Sequence, residues 1–100
     1  MDGILGLGDE MENKKAPLEG VRILAVEQFG AGPWGTMMMA DLGAEVIKIE
    51  NPATEGDVAR TIPPYTIEQD SVYFQSFNRN KKSITLNLQD NRGQDIFRRL

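Results

Sequence analysis

The segment Gly30-Ala31-Gly32-Pro33-Trp34-Gly35 constrains this chain more than any other. It follows the apolar run Val21-Arg22-Ile23-Leu24-Ala25-Val26 and opens a stretch, Trp34 to Leu42, that predicts a helix. A strand, a glycine-rich turn and a helix start bring backbone N–H groups close to whatever lies above the turn. A short continuous apolar run suits a strand covered on both faces, as in a parallel sheet. Glu45 to Glu50, with Val46, Ile47 and Ile49, predicts the second strand. Strand, helix and strand then fit within about 30 residues, the size of a βαβ unit.

The rest of the chain extends this pattern. Pro33 sits where a first-turn helix proline is tolerated, because that N–H has no helical partner. Met37, Met38, Ala40 and Leu42 supply a buried helix face, Trp34 and the Met37 to Met39 run read as core packing, and Gly43 is the helix stop. Asn51 to Thr66 holds Pro52, Gly56, Pro63 and Pro64 and predicts a loop. Asp70 to Ser76 predicts a short helix or extended piece. Ser83 to Leu88 alternates, with Ile84, Leu86 and Leu88 on one face, and predicts a third strand. Asp90 or Asn91 caps a final helix carrying Ile96, Phe97 and Leu100. Residues 1–16 predict a disordered tail, because Gly3, Gly6 and Gly8 cut its apolar residues into short pieces. Order is expected to begin near Pro17-Leu18-Glu19-Gly20. The last residue, Leu100, falls inside the final helix and leaves its apolar face uncovered. The expected fold class is therefore α/β, with residues 17–100 forming the N-terminal part of a larger domain: a Rossmann-like parallel sheet with flanking helices.

Composition narrows the chemistry. With neither Cys nor His, the chain has no disulfides, thiol catalysis or imidazole base, and no Cys- or His-held metal. A net charge of −4 without a basic run gives no general attraction to nucleic acid or an anionic membrane. Met1 to Ala16 lacks the pattern of a secretory signal. No stretch approaches the roughly 18 apolar residues of a membrane span. The expectation is a soluble cytoplasmic protein.

The glycine turn has competing readings. Gly30, Gly32 and Gly35 fit G-x-G-x-x-G, and Glu50, twenty residues after Gly30, sits where a dinucleotide-binding unit places its ribose acid. Two details oppose a nicotinamide site: Pro33 removes an N–H beside the turn, and Trp34 is bulky where phosphate must approach. The turn can equally be a packing device that binds nothing. Other single residues have bland readings too. Asp41 fits a helix-surface acid, Asp57 and Arg60 fit a pair pinning a loop, Glu50 fits a structural strand-end acid, and Asn78 fits a side-chain-to-backbone turn bond.

Four ordered blocks carry a resemblance. They are Pro17-Leu18-Glu19-Gly20-Val21-Arg22-Ile23-Leu24; Ala31-Gly32-Pro33-Trp34 with Ala40-Asp41-Leu42-Gly43-Ala44-Glu45-Val46-Ile47-Lys48-Ile49-Glu50; Gly56-Asp57 with Arg60; and Tyr73-Phe74 with Asn78-Arg79-Asn80-Lys81-Lys82-Ser83-Ile84-Thr85-Leu86-Asn87-Leu88. Over residues 17–100 the chain resembles the opening of the family III coenzyme A transferases, the CaiB/BaiF group, whose branches include α-methylacyl-CoA racemases. The resemblance implies a much longer enzyme with large and small domains, built as an interlocked homodimer. It implies transfer of coenzyme A from an acyl-CoA to a carboxylic acid through an aspartyl-CoA thioester, with coenzyme A as substrate and no prosthetic group. The family's catalytic aspartate falls beyond residue 100, so no catalytic residue and no metal ligand is expected within this chain. The implied coenzyme A contacts are Phe29, Gly30 and Ala31, then Asn51, then Leu86, Asn87, Leu88 and Gln89, with Lys81 and Lys82 as phosphate partners. Asn51 stands where the family often has Arg, and Gln89 where it usually has Lys.

Overall fold

The computed structural model describes residues 15–100, so most of the expected tail lies outside the described residues. Three parallel strands form the sheet: β1 (Arg22–Val26), β2 (Glu45–Glu50) and β5 (Lys81–Thr85). Their order is β1-β2-β5, with β2 in the centre. Ile23 pairs with Val46 and Val26 with Ile49 on one side. Val46 pairs with Lys81 and Glu50 with Thr85 on the other. Helix α1 (Ala31–Asp41) connects β1 to β2. Between β2 and β5 run two 3₁₀ turns (Pro52–Thr54 and Val58–Thr61), the short antiparallel pair β3 (Thr66–Ile67) and β4 (Asp70–Ser71), and helix α2 (Val72–Ser76). Helix α3 (Asn91–Arg99) follows β5.

The centre of the sheet follows from the sequence of β2. Val46, Ile47, Lys48, Ile49 and Glu50 are all buried, as expected of a strand covered on both faces. Ala25, Ala40, Ala44 and Val46 form the core under α1, with Leu18 and Ile23 packed against it. Burying a branched side chain such as Val46 or Ile49 contributes roughly 1.5–3 kcal/mol. The small residues Ala25 and Ala40 let the helix lie close to the strands.

Helix α1 starts at Ala31, ahead of the expected Trp34, with the Trp34 amide donating to the Gly30 carbonyl at 2.7 Å. The helix ends as expected. Gly43 has φ +104°, its amide donates to Ala40, and the Ala44 amide reaches back to Met39. These are the two bonds of a Schellman stop, which needs a left-handed residue. A Cβ on Gly43 would also stand 2.4 Å from that of Ala16.

Two expectations are corrected. Trp34 is not core: it is 55% exposed, and Met38 and Met39 are exposed with it. The inward stripe is Pro33, Met37 and Ala40, spaced by four and three residues, so Trp34 and Met38 fall one step around the helix. The third strand spans Lys81–Thr85 instead of Ser83 to Leu88. Asn80 closes the preceding turn at φ +65°, which releases Lys81 and Lys82 into the ladder. The alternation continues past the strand, and Leu86 still donates to the Glu50 carbonyl at 3.0 Å.

Asp90 caps α3 as expected, accepting from the Arg92 amide at 2.8 Å. Gly93 explains how closely this helix approaches: a Cβ there would stand 1.9 Å from the Asn87 carbonyl oxygen. Gly93→Ala therefore forces backbone apart and is expected to lower stability by about 1–3 kcal/mol. Gly35→Ala, in α1 with no atom within 4 Å of the new methyl, is expected to raise it by about 0.5–1 kcal/mol. Thermal melts of the two variants followed by circular dichroism check the opposite signs.

Candidate functional site

The C-terminal ends of the three parallel strands open into one crevice, the position where α/β sheets hold ligands. A cavity of about 390 Å³ is lined by Val26, Glu27, Gln28, Asn51, Gly56 and Asp57, with Ile49 and Glu50. An adjoining cavity of about 220 Å³ shares Val26, Ile49, Glu50 and Asn51 and adds Leu86, Asn87, Leu88 and Gln89. The loops after β1, β2 and β5 thus converge.

Five of the ten expected coenzyme A contacts line this crevice. Asn51 and Leu86 to Gln89 line the second cavity. Asn51 is shaped by its own turn, its side chain accepting from the Ala53 amide at 2.9 Å. Asn87 does the same for Gln89 at 3.0 Å. Phe29, Gly30 and Ala31 continue the loop beyond Gln28; Phe29 is exposed and has φ +67°.

Neither lysine lines the crevice. Lys81 Nζ donates to Glu27 Oε2 at 2.8 Å, the Pro33 carbonyl at 2.9 Å and Asn78 Oδ1 at 2.9 Å. An ammonium has three protons, so Lys81 has none left for a phosphate. Burial pushes its pKa down, opposed by Glu27. Lys82 is exposed but pairs with Glu45 at 2.8 Å. Glu45 begins β2, so that pair lies at the opposite end of the sheet from the crevice.

Under the crevice Glu50 is fully occupied. Its Oε1 accepts from the Asp57 amide at 2.7 Å and Arg60 Nε at 2.8 Å. Its Oε2 accepts from Arg60 Nη2 at 2.6 Å and from the Ser83 hydroxyl. A carboxylate offers about four lone-pair sites, so none remains for a ribose hydroxyl. Burial raises the Glu50 pKa, but the Arg60, Ser83 and Asp57 amide bonds outweigh it and hold it at about 2. Arg60 also donates to Asp70 at 2.8 Å and covers the Phe74 ring at 4.0 Å. Its raised pKa reflects first the Glu50 bond.

Asp57 and Arg60 do not pair through their side chains, contrary to the sequence reading. The Asp57 carboxylate instead faces Lys48 Nζ, 2.8 Å from its Oδ2. This is a contact of charges without hydrogen-bond alignment, since Oδ2 has no hydrogen-bond partner. Lys48 also reaches Glu27 at 3.3 Å. Burial raises the Glu27 pKa, yet bonds from Lys81 and Thr36 and the two lysine charges bring it below the ordinary value. Sequence reasoning did not single out Glu27 or Lys48. The available signal was a charged residue between Ile47 and Ile49 in a strand buried on both faces.

Other expected roles are local. Asp41 binds Arg79 and Asn80, and Asn78 Nδ2 donates to the Phe74 carbonyl at 2.7 Å. Among the described residues, no group of three or more acidic, His or Cys side chains could hold a metal ion, and no helix is long and apolar enough to cross a membrane.

Residues 18–100 match the sequence profile of CoA-transferase family III. This chain belongs to that family. The match covers everything from the turn before β1 to the end of α3, so the crevice is part of the family III unit. The succinyl-CoA:glutarate CoA-transferase of Mus musculus is 51% identical over 84 residues, which are 84% of this chain and 19% of that protein. The Homo sapiens protein of the same name is 50% identical over 91% of this chain and 20% of its own length. A crystal structure of a CaiB/BaiF family protein from Brucella suis matches with a TM-score of 0.76 at 38% identity, covering 86% of this chain and 23% of that one. The chain thus spans about a fifth of the length of the curated relatives it matches.

The occupied Glu50 gives a pH prediction. Its folded pKa, about 2, lies below the ordinary 4.5. Its stabilising contribution is therefore complete above about pH 4.5 and is lost as pH falls toward 2. Urea midpoints measured across that window are expected to fall, and Glu50→Gln is expected to give a lower midpoint at pH 7 with a flatter acid limb. An acid limb as steep as that of the unsubstituted protein would assign the loss to other carboxylates.

Proposed function

We propose that this chain forms the coenzyme A-binding end of an enzyme that moves coenzyme A from an acyl-CoA to a carboxylic acid. The observation carrying the reading is the match of residues 18–100 to CoA-transferase family III, over the same residues that build the crevice. The relatives' names point to dicarboxylic acids as substrates of those proteins. The fully bonded Glu50 disfavours the dinucleotide alternative, which needs that acid free.

In this reading the backbone of Phe29, Gly30 and Ala31 runs along the nucleotide end of coenzyme A, with Asn51 and Leu86 to Gln89 forming the facing wall. The reacting aspartate lies on polypeptide beyond Leu100. Its carboxylate attacks the thioester carbonyl and expels the coenzyme A thiolate, leaving a mixed anhydride. The thiolate then attacks the aspartyl carbonyl, releasing the donor acid and leaving an aspartyl-CoA thioester. The acceptor carboxylate reverses these steps, so the reaction needs no redox partner and no prosthetic group. The working form is an interlocked homodimer in the cytoplasm.

Two measurements test this. The complete polypeptide of this reading frame is expected to bind coenzyme A at least tenfold more tightly than NAD by calorimetry, a difference of about 1.4 kcal/mol. The reverse preference would overturn the reading. Residues 1–100 alone, incubated with succinyl-CoA, are expected to show no covalent adduct by intact mass. An adduct on Asp41, Asp57, Asp70, Asp90 or Asp95 would place the nucleophile inside this segment.

A further inference from the structure

One buried group of charges has no part in the proposed chemistry. Glu27, Lys48, Asp57 and Lys81 carry two negative and two positive charges, and no side chain among them is more than 6% exposed. Such clusters are often no more stabilising than apolar residues of the same volume, so stability alone does not account for this one. Its contacts show what it holds. Asp57 Oδ1 accepts from the Phe29 amide at 3.1 Å and from the Ala59 amide at 2.8 Å. Glu27 Oε1 accepts from the Thr36 hydroxyl at 2.5 Å. Lys81 donates to the Pro33 carbonyl at 2.9 Å. Lys48, from the central strand, bridges the two acids.

The turn between β1 and α1 is thus fastened at Glu27 and Phe29, and the start of α1 at Pro33 and Thr36, from two neighbouring strands and the second 3₁₀ turn. Phe29 is the strained point, a side-chain-bearing residue at φ +67°, in the left-handed region that disfavours a Cβ. Its amide bond to Asp57 opposes relaxation. We infer that Asp57 is a positioning residue for the ligand at the glycine turn: its Oδ1 holds Phe29 in the left-handed conformation that sets the Gly30 and Ala31 backbone. The inference rests on the coenzyme A reading and names a residue that serves that site without touching the ligand.

The test compares two double variants of the complete polypeptide. Asp57→Asn with Lys48→Met keeps an acceptor for Phe29 and removes the cation that the new amide would face. Asp57→Ala with Lys48→Met removes the acceptor as well. Calorimetric titration with coenzyme A is expected to give a Kd within about threefold of the unsubstituted protein for the first. The second is expected to lose about tenfold or more, the scale of one hydrogen bond to a buried donor. Amide exchange is expected to show Phe29 protected in the unsubstituted protein and in the asparagine variant. In the alanine variant Phe29 exchanges freely while β1 and β2 stay protected.

Equal affinities for the two variants would overturn the inference and leave the coenzyme A reading standing. Loss of protection throughout β1 and β2 would reduce Asp57 to a folding role and overturn it as well. A freely exchanging Phe29 amide in the unsubstituted protein would do the same without any variant. No coenzyme A binding by the unsubstituted protein would overturn the functional reading, and the inference with it.

Discussion

The structure depends on how β2 carries two buried charged residues, Lys48 and Glu50, through the sheet. Val46, Lys48 and Glu50 share one face of the central strand, and Ile47 and Ile49 the other. The apolar positions fix where β2 sits. The charged ones fix what sits around it, because a buried ion must be met by a partner or not be charged. Glu50 draws Arg60, Ser83 and the Asp57 amide to it. Lys48 draws Glu27 and Asp57. Between them they collect the loop after β1, the loop after β2 and the middle of the third strand into one place.

This explains why the crevice walls are polar in sequence yet few of their charges face the cavity space. Arg60 and Lys81 both lie close by, and both are already committed. The cations near the turn after β1 are turned to its support: Lys81 to the Pro33 carbonyl, and Lys48 to the carboxylate that receives the Phe29 amide. A crevice organised this way presents main-chain groups and short amides, held from behind by charge.

The fold was legible in the sequence where one periodicity dominated. Val21 to Val26, the Gly43 stop and the Asp90 cap each have a local cause that neighbours do not override. Trp34 departs from the core-packing expectation because the helix phase set by Pro33, Met37 and Ala40 leaves it outside. Of the candidate site, the resemblance named the loop segments Asn51 and Leu86 to Gln89, and the structure places them along the crevice. The roles of Lys81 and Lys82 were not. A strand turns alternate side chains to opposite faces, so neighbouring lysines face different surroundings: Lys81 enters the buried ion network on the face of Lys48, and Lys82 pairs with Glu45 on the other face. Which acid a buried lysine meets is set by tertiary contacts, and Lys48 meets Asp57 nine positions away and Glu27 twenty-one positions away.

The close seating of Gly93 on Asn87 has a mechanical meaning. The Asp90 amide donates to the Asn87 carbonyl, and Gln94 Nε2 to that of Leu88, so the wall from Leu86 to Gln89 and the first turn of α3 form one solid piece. That side of the crevice has no independent hinge. Any widening there must swing α3 as a lever, and whatever packs on the far end of that helix sets how far the wall can travel.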